Sequence, residues 1–209
     1  DGLYGINNIN RFLQESNPNP PVRWDIQQYK VGDPILFLES DRFYPVIHNN
    51  MKGIIQGIEI VDAGTHEERI QFDVEIPKET DESDAWRCDF ELLECYEGEG
   101  SSLIRFCVHK LNSADEDGDE QTSRTTVPFQ VAYAVSIHKA QGLEYNSVKI
   151  VITDEVEELV THNVFYTAIT RAREKLRIYW TPEVEEKVIN KIKPRDVCKD
   201  VEILRKYLI

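Results

Sequence analysis

Apolar residues recur along this chain at two different spacings. Between residues 3 and 15 they fall at helical intervals, and prolines at 18, 20 and 21 end that pattern. This predicts one amphipathic helix followed by an extended segment. From Val31 the pattern changes to short β runs separated by turn residues, and the predicted strands are 34–39, 53–61, 69–76, 86–94 and 101–109. Five short strands in about eighty residues predict a small β-barrel.

After Pro128 the pattern becomes α/β. We expect strands at 131–137, 148–153 and 175–180, and helices at 162–172, 182–192 and 197–208. Strands that alternate with helices imply a parallel sheet, whose ligand crevice lies at the carboxyl ends of its strands. The predicted architecture is an α/β domain formed by 1–30 and 127–209, with the barrel at 31–126 inserted into it. An acidic run within 112–126 is interpreted as a solvated loop.

Charge is distributed unevenly along the chain. The net charge is −14, yet residues 59–120 alone hold 20 acidic and 5 basic residues. The rest is close to neutral and can still present a local basic surface to nucleic acid. No apolar run approaches the ~20 residues of a membrane helix, and no signal peptide precedes the first helix, so we predict a cytoplasmic protein. The four cysteines lack zinc or redox spacing and are interpreted as reduced thiols, and no metal site is predicted.

A first polar block runs from Ser136 to Tyr145 and reads SIHKAQGLEY. It follows the apolar run at 131–137, so its side chains are expected at the carboxyl end of a strand, where α/β ligands bind. Gly142 permits a tight turn and a close backbone approach that a Cβ would obstruct. An ordinary strand-to-helix loop can also hold such residues, and this block alone does not decide between the two interpretations.

A second block, Tyr166 to Ala172, reads YTAITRA and lies on the predicted helix at 162–172. Thr167 and Arg171 are one turn apart and therefore share a face. One interpretation is that Arg171 complements the dipole at the helix C-terminus, worth about 0.3–1 kcal/mol. The other is an arginine finger that stabilises charge on a transferred phosphoryl group, worth roughly 10³ to 10⁵ in rate.

Together the two blocks resemble motifs V and VI of superfamily 1 helicases, particularly the RecD-like branch. Upstream, NRFLQ at 10–14 with Asn19-Pro20 is similar to that family's N-R-x-L-Q and N-P segment, and 31–53 is similar to the entry of its SH3-like inserted domain. The resemblance implies a second RecA-like lobe, of the P-loop NTPase kind, carrying an inserted SH3-like barrel. The turn His48-Asn49-Asn50 departs from the family's Asn-Gly-Asp type, which leaves a role of that turn in DNA contact open.

The resemblance also implies roles for single residues. Arg171 would be the arginine finger that reaches the γ-phosphate of ATP, and Ser136 keeps the hydroxyl of the family's usual threonine. Residues beside the nucleotide would be Gln141, Gly142 and Glu144. Residues that contact DNA would be Ser136, His138, Lys139 and Thr167. The implied partners are ATP with Mg²⁺, single-stranded or forked DNA, and an N-terminal RecA-like lobe of the same polypeptide that grips most of the nucleotide.

No G-x-x-x-x-G-K-[ST] loop occurs in the sequence, and no strand ending in Asp-Glu precedes the first block. The chain also begins at Asp1-Gly2 without methionine, so we expect a C-terminal piece of a longer helicase that does not turn over ATP by itself. Two alternatives stay open. One is a non-catalytic interaction module built on an acidic β-barrel, and the other is an ATPase lobe that is not coupled to unwinding.

Overall fold

The computed structural model describes residues 5–38, 41–110 and 124–192. The chain divides into two compact units, Asp1–Val135 and Ser136–Ile209. The predicted helix at 197–208 and most of the acidic run at 112–126 lie outside the described residues. The predicted grouping of 1–30 with 127–209 in one lobe stays a prediction.

The first unit is built on an antiparallel sheet. Its helices are α1 (Ile6–Gln14) and α2 (Glu82–Ala85). Its strands are β1 (Val22–Trp24), β2 (Gln27–Tyr29), β3 (Pro34–Phe37), β4 (Lys52–Val61), β5 (Arg69–Ile76), β6 (Glu91–Tyr96), β7 (Ser101–His109) and β8 (Phe129–Val131). Strands β1 and β2 form a hairpin, and the other six pair in the order β6-β7-β5-β4-β3-β8.

The open order of this sheet differs from the predicted barrel. Within the described residues, no pairing joins the two outer strands, β6 and β8. The sheet is therefore six-stranded and open, and these strands do not close into an SH3-like barrel. The predicted helix near 3–15 is confirmed as α1, and the strands at 69–76 and 101–109 are confirmed at both ends.

Strict alternation fixes which face of the sheet is buried. In β5 the residues at 70, 72, 74 and 76 are fully buried, because successive side chains of a strand point to opposite faces. Phenylalanine rings from several strands and from a 3-10 helix at Asp41–Phe43 meet in this core. Phe72 and Phe129 lie 4.9 Å apart, and Phe43 and Phe106 lie 5.0 Å apart, between ring centroids. Such ring pairs add about 0.5–1.5 kcal/mol beyond the area that they bury.

The strand predicted at 131–137 is wrong for most of its length. Strand β8 ends at Val131 and pairs antiparallel with β3. Beyond it, the backbone of Ala134 bonds to a side chain instead of a neighbouring strand. The Asn10 amide nitrogen donates to the Ala134 carbonyl at 2.9 Å, and the Ala134 N–H donates to the Asn10 oxygen at 2.7 Å. Because both backbone groups are satisfied in this way, the segment has no need of a ladder partner.

A second correction concerns the strand predicted at 86–94, which forms only from Glu91 onwards. The carboxylate of Asp81 accepts a hydrogen bond from the Asp84 N–H at 2.9 Å and thereby caps the short helix α2. Trp86 is the C-cap residue of that helix and is 89% exposed. A side-chain cap of this kind commits the segment to helical geometry before the strand can begin.

Asp33 is fully buried and forms the centre of a polar network in the first unit. Its carboxylate accepts hydrogen bonds from the side-chain amides of Gln14 and Asn17, from the Lys30 N–H at 2.8 Å and from the Tyr133 hydroxyl at 2.8 Å. The Lys30 ammonium donates to two backbone carbonyls at the end of α1. A buried charge needs such a complete set of partners, so this network joins three distant segments of the chain.

The second unit is α/β. Its elements are β9 (Tyr145–Val151), α3 (His162–Ile169), β10 (Ala172–Tyr179) and α4 (Pro182–Lys191). Strands β9 and β10 are parallel, as predicted, and α3 lies between them in the chain. Ile152, Val184 and Val188 are its buried core, and the Phe165 ring stacks on Trp180 at 6.0 Å. Every helix in the described part of the chain is too short or too polar to cross a bilayer.

Replacing Asp33 by asparagine should lower the free energy of unfolding by roughly 2–4 kcal/mol. Hydrogen-bond donors face both oxygens of Asp33, and the NH₂ group of an amide cannot accept from them. Denaturant titration of the chain measures this loss. Asp62→Asn is the matched control, since Asp62 pairs with Arg69 at the surface at 2.7 Å and such pairs contribute about 0–1 kcal/mol. Equal losses in the two variants would contradict the role given to Asp33.

Ionisation of the Tyr133 phenol should lower the stability of the fold at alkaline pH. Burial, followed by the hydrogen bond to Asp33, raises the pKa of Tyr133 to about 12, against about 10 in an unfolded chain. The raised pKa means that the fold favours the protonated phenol. This contribution is complete below about pH 10 and is lost as the pH rises towards 12. Tyr133→Phe should therefore flatten the decline measured by denaturant unfolding between about pH 10 and 12, and an unchanged decline would contradict this.

Candidate functional site

The first polar block forms two consecutive tight turns in the second unit. The Ala140 N–H donates to the Ser136 carbonyl at 3.0 Å, and the Leu143 N–H donates to the Ala140 carbonyl at 3.1 Å. Ala140 is buried beneath these turns. Gly142 has φ +83°, and a Cβ built there would meet no atom within 4 Å. Glycine is thus favoured by backbone conformation and not by lack of space.

The second block lies on α3 and just beyond it. The Thr161 hydroxyl caps the helix by accepting from the Val164 N–H at 3.4 Å. The helix ends at Ile169, three residues before the predicted end. Thr170 is the C-cap, and its hydroxyl donates to the Tyr166 carbonyl at 2.9 Å. Arg171 therefore lies at the junction between α3 and β10, past the last helical turn.

Arg171 connects this junction to the turns of the first block. Its Nε donates to the Thr167 carbonyl at 2.9 Å, one Nη donates to the Leu143 carbonyl at 3.1 Å and the other to the Thr170 hydroxyl at 3.2 Å. In return, the Tyr145 N–H donates to the Arg171 carbonyl at 2.9 Å. All three acceptors are uncharged, and no described carboxylate forms an ion pair with this guanidinium. The half-buried cation thus lies beside the turn that contains Gln141.

A small cleft brings three of the predicted site residues together. It has a volume of about 110 Å³ and is lined by Ile137, His138, Gln141, Asn163, Val164 and Thr167. His138, Gln141 and Thr167 were predicted from sequence, whereas Asn163 was not. The sequence could have identified Asn163, because Asn163 precedes Thr167 by one helical turn and therefore lies on the same helix face.

Other predicted site residues lie around the turns and do not line the cleft. The Ser136 hydroxyl accepts a hydrogen bond from the Lys139 N–H at 3.5 Å, and Lys139 itself is half-buried. Glu144 is exposed and pairs with Arg173 at 2.7 Å. Arg173 was not predicted, although it lies two residues beyond Arg171. Among the described residues, no group of histidine, cysteine or acidic side chains is placed to hold a metal ion.

Comparison with known families assigns this region. Residues 131–179, which include both polar blocks and the α3–β10 junction, match the UvrD-like helicase C-terminal domain. This region of the chain is similar to the C-terminal portion of RecD-like helicases. The UvrD-like domain therefore contains all eight residues predicted for the site.

Similar proteins give the same family. The RecBCD enzyme subunit RecD of Mycolicibacterium smegmatis is 36% identical over 86 residues, covering 41% of this chain and 15% of that protein. The ATP-dependent RecD2 DNA helicase of Deinococcus radiodurans is 35% identical over 65 residues, covering 30% of this chain and 9% of that protein. This chain thus spans a small part of the length of either relative.

Among solved structures, a Pif1 helicase from Bacteroides, a double mutant, aligns with 86% of this chain and 34% of its own length. The two are 15% identical with a TM-score of 0.33. The assignment of the UvrD-like domain rests on the match of residues 131–179 and on the RecD relatives.

The conformation of Gly142 yields a prediction for the UvrD-like domain. Gly142→Ala should lower the free energy of unfolding by about 1–2 kcal/mol, because the left-handed backbone conformation is strained for alanine. The added Cβ itself would meet no neighbouring atom and adds no steric clash. Gly142→Asn should cost less, since asparagine tolerates this region of backbone space better. Thermal denaturation of the three proteins measures the order. Equal stability of all three would contradict the positive φ at this turn.

Proposed function

We propose that the UvrD-like domain is the C-terminal lobe of an ATP-dependent DNA helicase or translocase and supplies Arg171 to a nucleotide held by an N-terminal lobe of the same polypeptide. The observation that carries this proposal is the environment of Arg171. Its guanidinium is fixed at a turn by three uncharged acceptors and is neutralised by no described carboxylate. A cation held in this way keeps its full charge available for an incoming phosphate.

The turn residues would complete the nucleotide side of the site. Gly142 leaves open space above its backbone, so a ligand can approach the main chain closely there. Gln141 and Glu144 are both exposed beside it and offer an amide and a carboxylate for hydrogen bonds to a nucleotide. ATP with Mg²⁺ would supply the phosphoryl group and its counter-ion, and Arg171 would stabilise charge on that group.

The size of the cleft supports a site shared between two lobes. A volume of about 110 Å³ is well below the roughly 300–1,000 Å³ of pockets that enclose small ligands, so the cleft is too small to enclose a nucleotide. The residues at its rim would instead contact a ligand that is bound from outside. Under this proposal, Ser136, His138, Lys139 and Thr167 face single-stranded DNA, and their hydroxyl, imidazole and ammonium groups suit phosphate oxygens.

The test is Arg171→Ala in the complete polypeptide that contains this chain. DNA-stimulated ATP hydrolysis should fall roughly 10³-fold or more, the range for loss of an arginine finger, while DNA affinity changes little. Arg69→Ala is the control, because it removes an arginine that pairs with Asp62 in the first unit. Circular dichroism of both variants should show that each has folded.

Arg171→Lys sharpens the test. Lysine keeps the positive charge but cannot donate to three acceptors in a fixed fork, so activity should be recovered only in part. If Arg171→Ala left ATP hydrolysis at the level of the unmodified protein, the arginine-finger role would be wrong. That result would favour a non-catalytic interaction module. ATP hydrolysis without strand displacement would instead favour an ATPase lobe that is not coupled to unwinding.

A further inference from the structure

The sheet of the second unit has one covered face and one open face. Ile150 and Ile178 are register partners and pack against the core of this unit. Residues at the alternate positions of β9 and β10 point the other way, because strand side chains alternate between faces. All six of these residues are exposed: Ser147, Lys149, Val151, Lys175, Arg177 and Tyr179. We call these six residues the open face.

The composition of the open face argues against an apolar cover. Parallel strands buried on both faces read as nearly continuous apolar runs. Here three of the six residues are cations and none is acidic. Burying three charges under an apolar helix would cost far more free energy than the contact returns. The chemistry of this surface therefore calls for water or an anionic partner.

The three cations of the open face are close together, and none has a charged partner among the described residues. Lys149 and Arg177 are direct register partners, and like charges directly opposite each other destabilise a sheet. Lys175 lies two residues from Arg177 along β10, about 6.6 Å away. None of the three forms an ion pair or a side-chain hydrogen bond with any residue in the described part of the chain, whereas nearby Arg173 is paired with Glu144. An anion bound across them would remove this repulsion.

An aromatic ring adjoins the cations. Tyr179 follows Arg177 on the same face, is 44% exposed, and has Val151 as its register partner. Cations that track a phosphate backbone, combined with aromatic rings on which bases stack, are typical of surfaces that bind single strands. The second unit as a whole is close to neutral, with 12 acidic and 13 basic residues in 136–209, so its acidic residues do not outweigh this local basic surface.

We propose that the open face binds the phosphate backbone of single-stranded nucleic acid, with Lys149, Lys175 and Arg177 as phosphate contacts and Tyr179 as a stacking platform. This contact uses none of the residues assigned to the cleft. It goes beyond the proposed function, because it gives the lobe a second binding surface for single-stranded nucleic acid. Binding at this surface does not depend on Arg171 or on nucleotide.

The experiment measures binding of a fluorescent oligothymidylate to the 209-residue chain by anisotropy across a salt series. Lys149→Gln combined with Arg177→Gln should weaken binding roughly tenfold at low salt. The slope of log affinity against log salt should become shallower by about 1.4, the value for two lost phosphate contacts on a single strand. Arg23→Gln combined with Lys191→Gln removes two other exposed cations and is the matched control, which should change both quantities much less.

Two further arms identify the ligand. Tyr179→Ala should weaken binding of the oligonucleotide but leave binding of inorganic polyphosphate unchanged, because only bases stack. A polyglutamate peptide should compete poorly. Three results would each overturn the proposal: unchanged affinity in the Lys149 and Arg177 double variant, an equal loss in the matched control, or equal competition by polyglutamate. Lys139→Gln reports separately on the DNA contacts proposed for the first polar block. The proposed function can therefore fail while the proposal for the open face holds, and the reverse.

Discussion

The contact on which the site depends is the bridge from the Arg171 guanidinium to the Leu143 carbonyl. Together with the hydrogen bond from the Tyr145 N–H to the Arg171 carbonyl, it fastens the turns of the first polar block to the end of α3. These two hydrogen bonds lie where the β9–β10 ladder begins, at Tyr145 and Ala172, and they extend the contact between the two blocks beyond the ladder. Arg171 thus contacts the first polar block through both its side chain and its backbone.

Under the proposed function, Arg171 would have two roles that compete for the same donors. The N–H groups that hold the turn in place are also those that a phosphate would attract. The acceptors that the structure supplies are neutral, so an anion is the stronger partner whenever it arrives. Under the proposed function, occupation of the site would therefore loosen the grip of Arg171 on the Leu143 carbonyl, and the turn would respond to the bound ligand.

The sequence predicted those parts of the molecule that depend on local pattern. Helix α1 and strands β5 and β7 were located by apolar spacing, and the two polar blocks were recognised by residue type and order. The strand at 131–137 could not be corrected from spacing, because its partner is the Asn10 side chain, 124 positions away. The open order of the sheet is likewise set by long-range pairing. The short helix α2 was a true omission, since Asp81 followed by Asp84 carries a recognisable cap pattern.

For the site, the sequence identified candidate residues but not their contacts. His138, Gln141 and Thr167 line one cleft, although the sequence assigned Gln141 to the nucleotide and the other two to DNA. The acceptors of Arg171 are a hydroxyl and two backbone carbonyls, which leave little trace in a sequence. The open face was also missed. Its alternation of charged and apolar residues in β9 and β10 was visible, but the register that sets Lys149 opposite Arg177 is a property of the fold.

The reciprocal hydrogen bonds between Asn10 and Ala134 have an evolutionary consequence. They join α1, which precedes the strands of the first unit, to the segment that follows β8, and Asp33 and Tyr133 reinforce the same junction. Surface loops between these two points can differ in length and charge without moving the ends, because the ends are bonded to each other directly. The strongly acidic segment at 59–120 is therefore compatible with an unchanged position of the flanking segments.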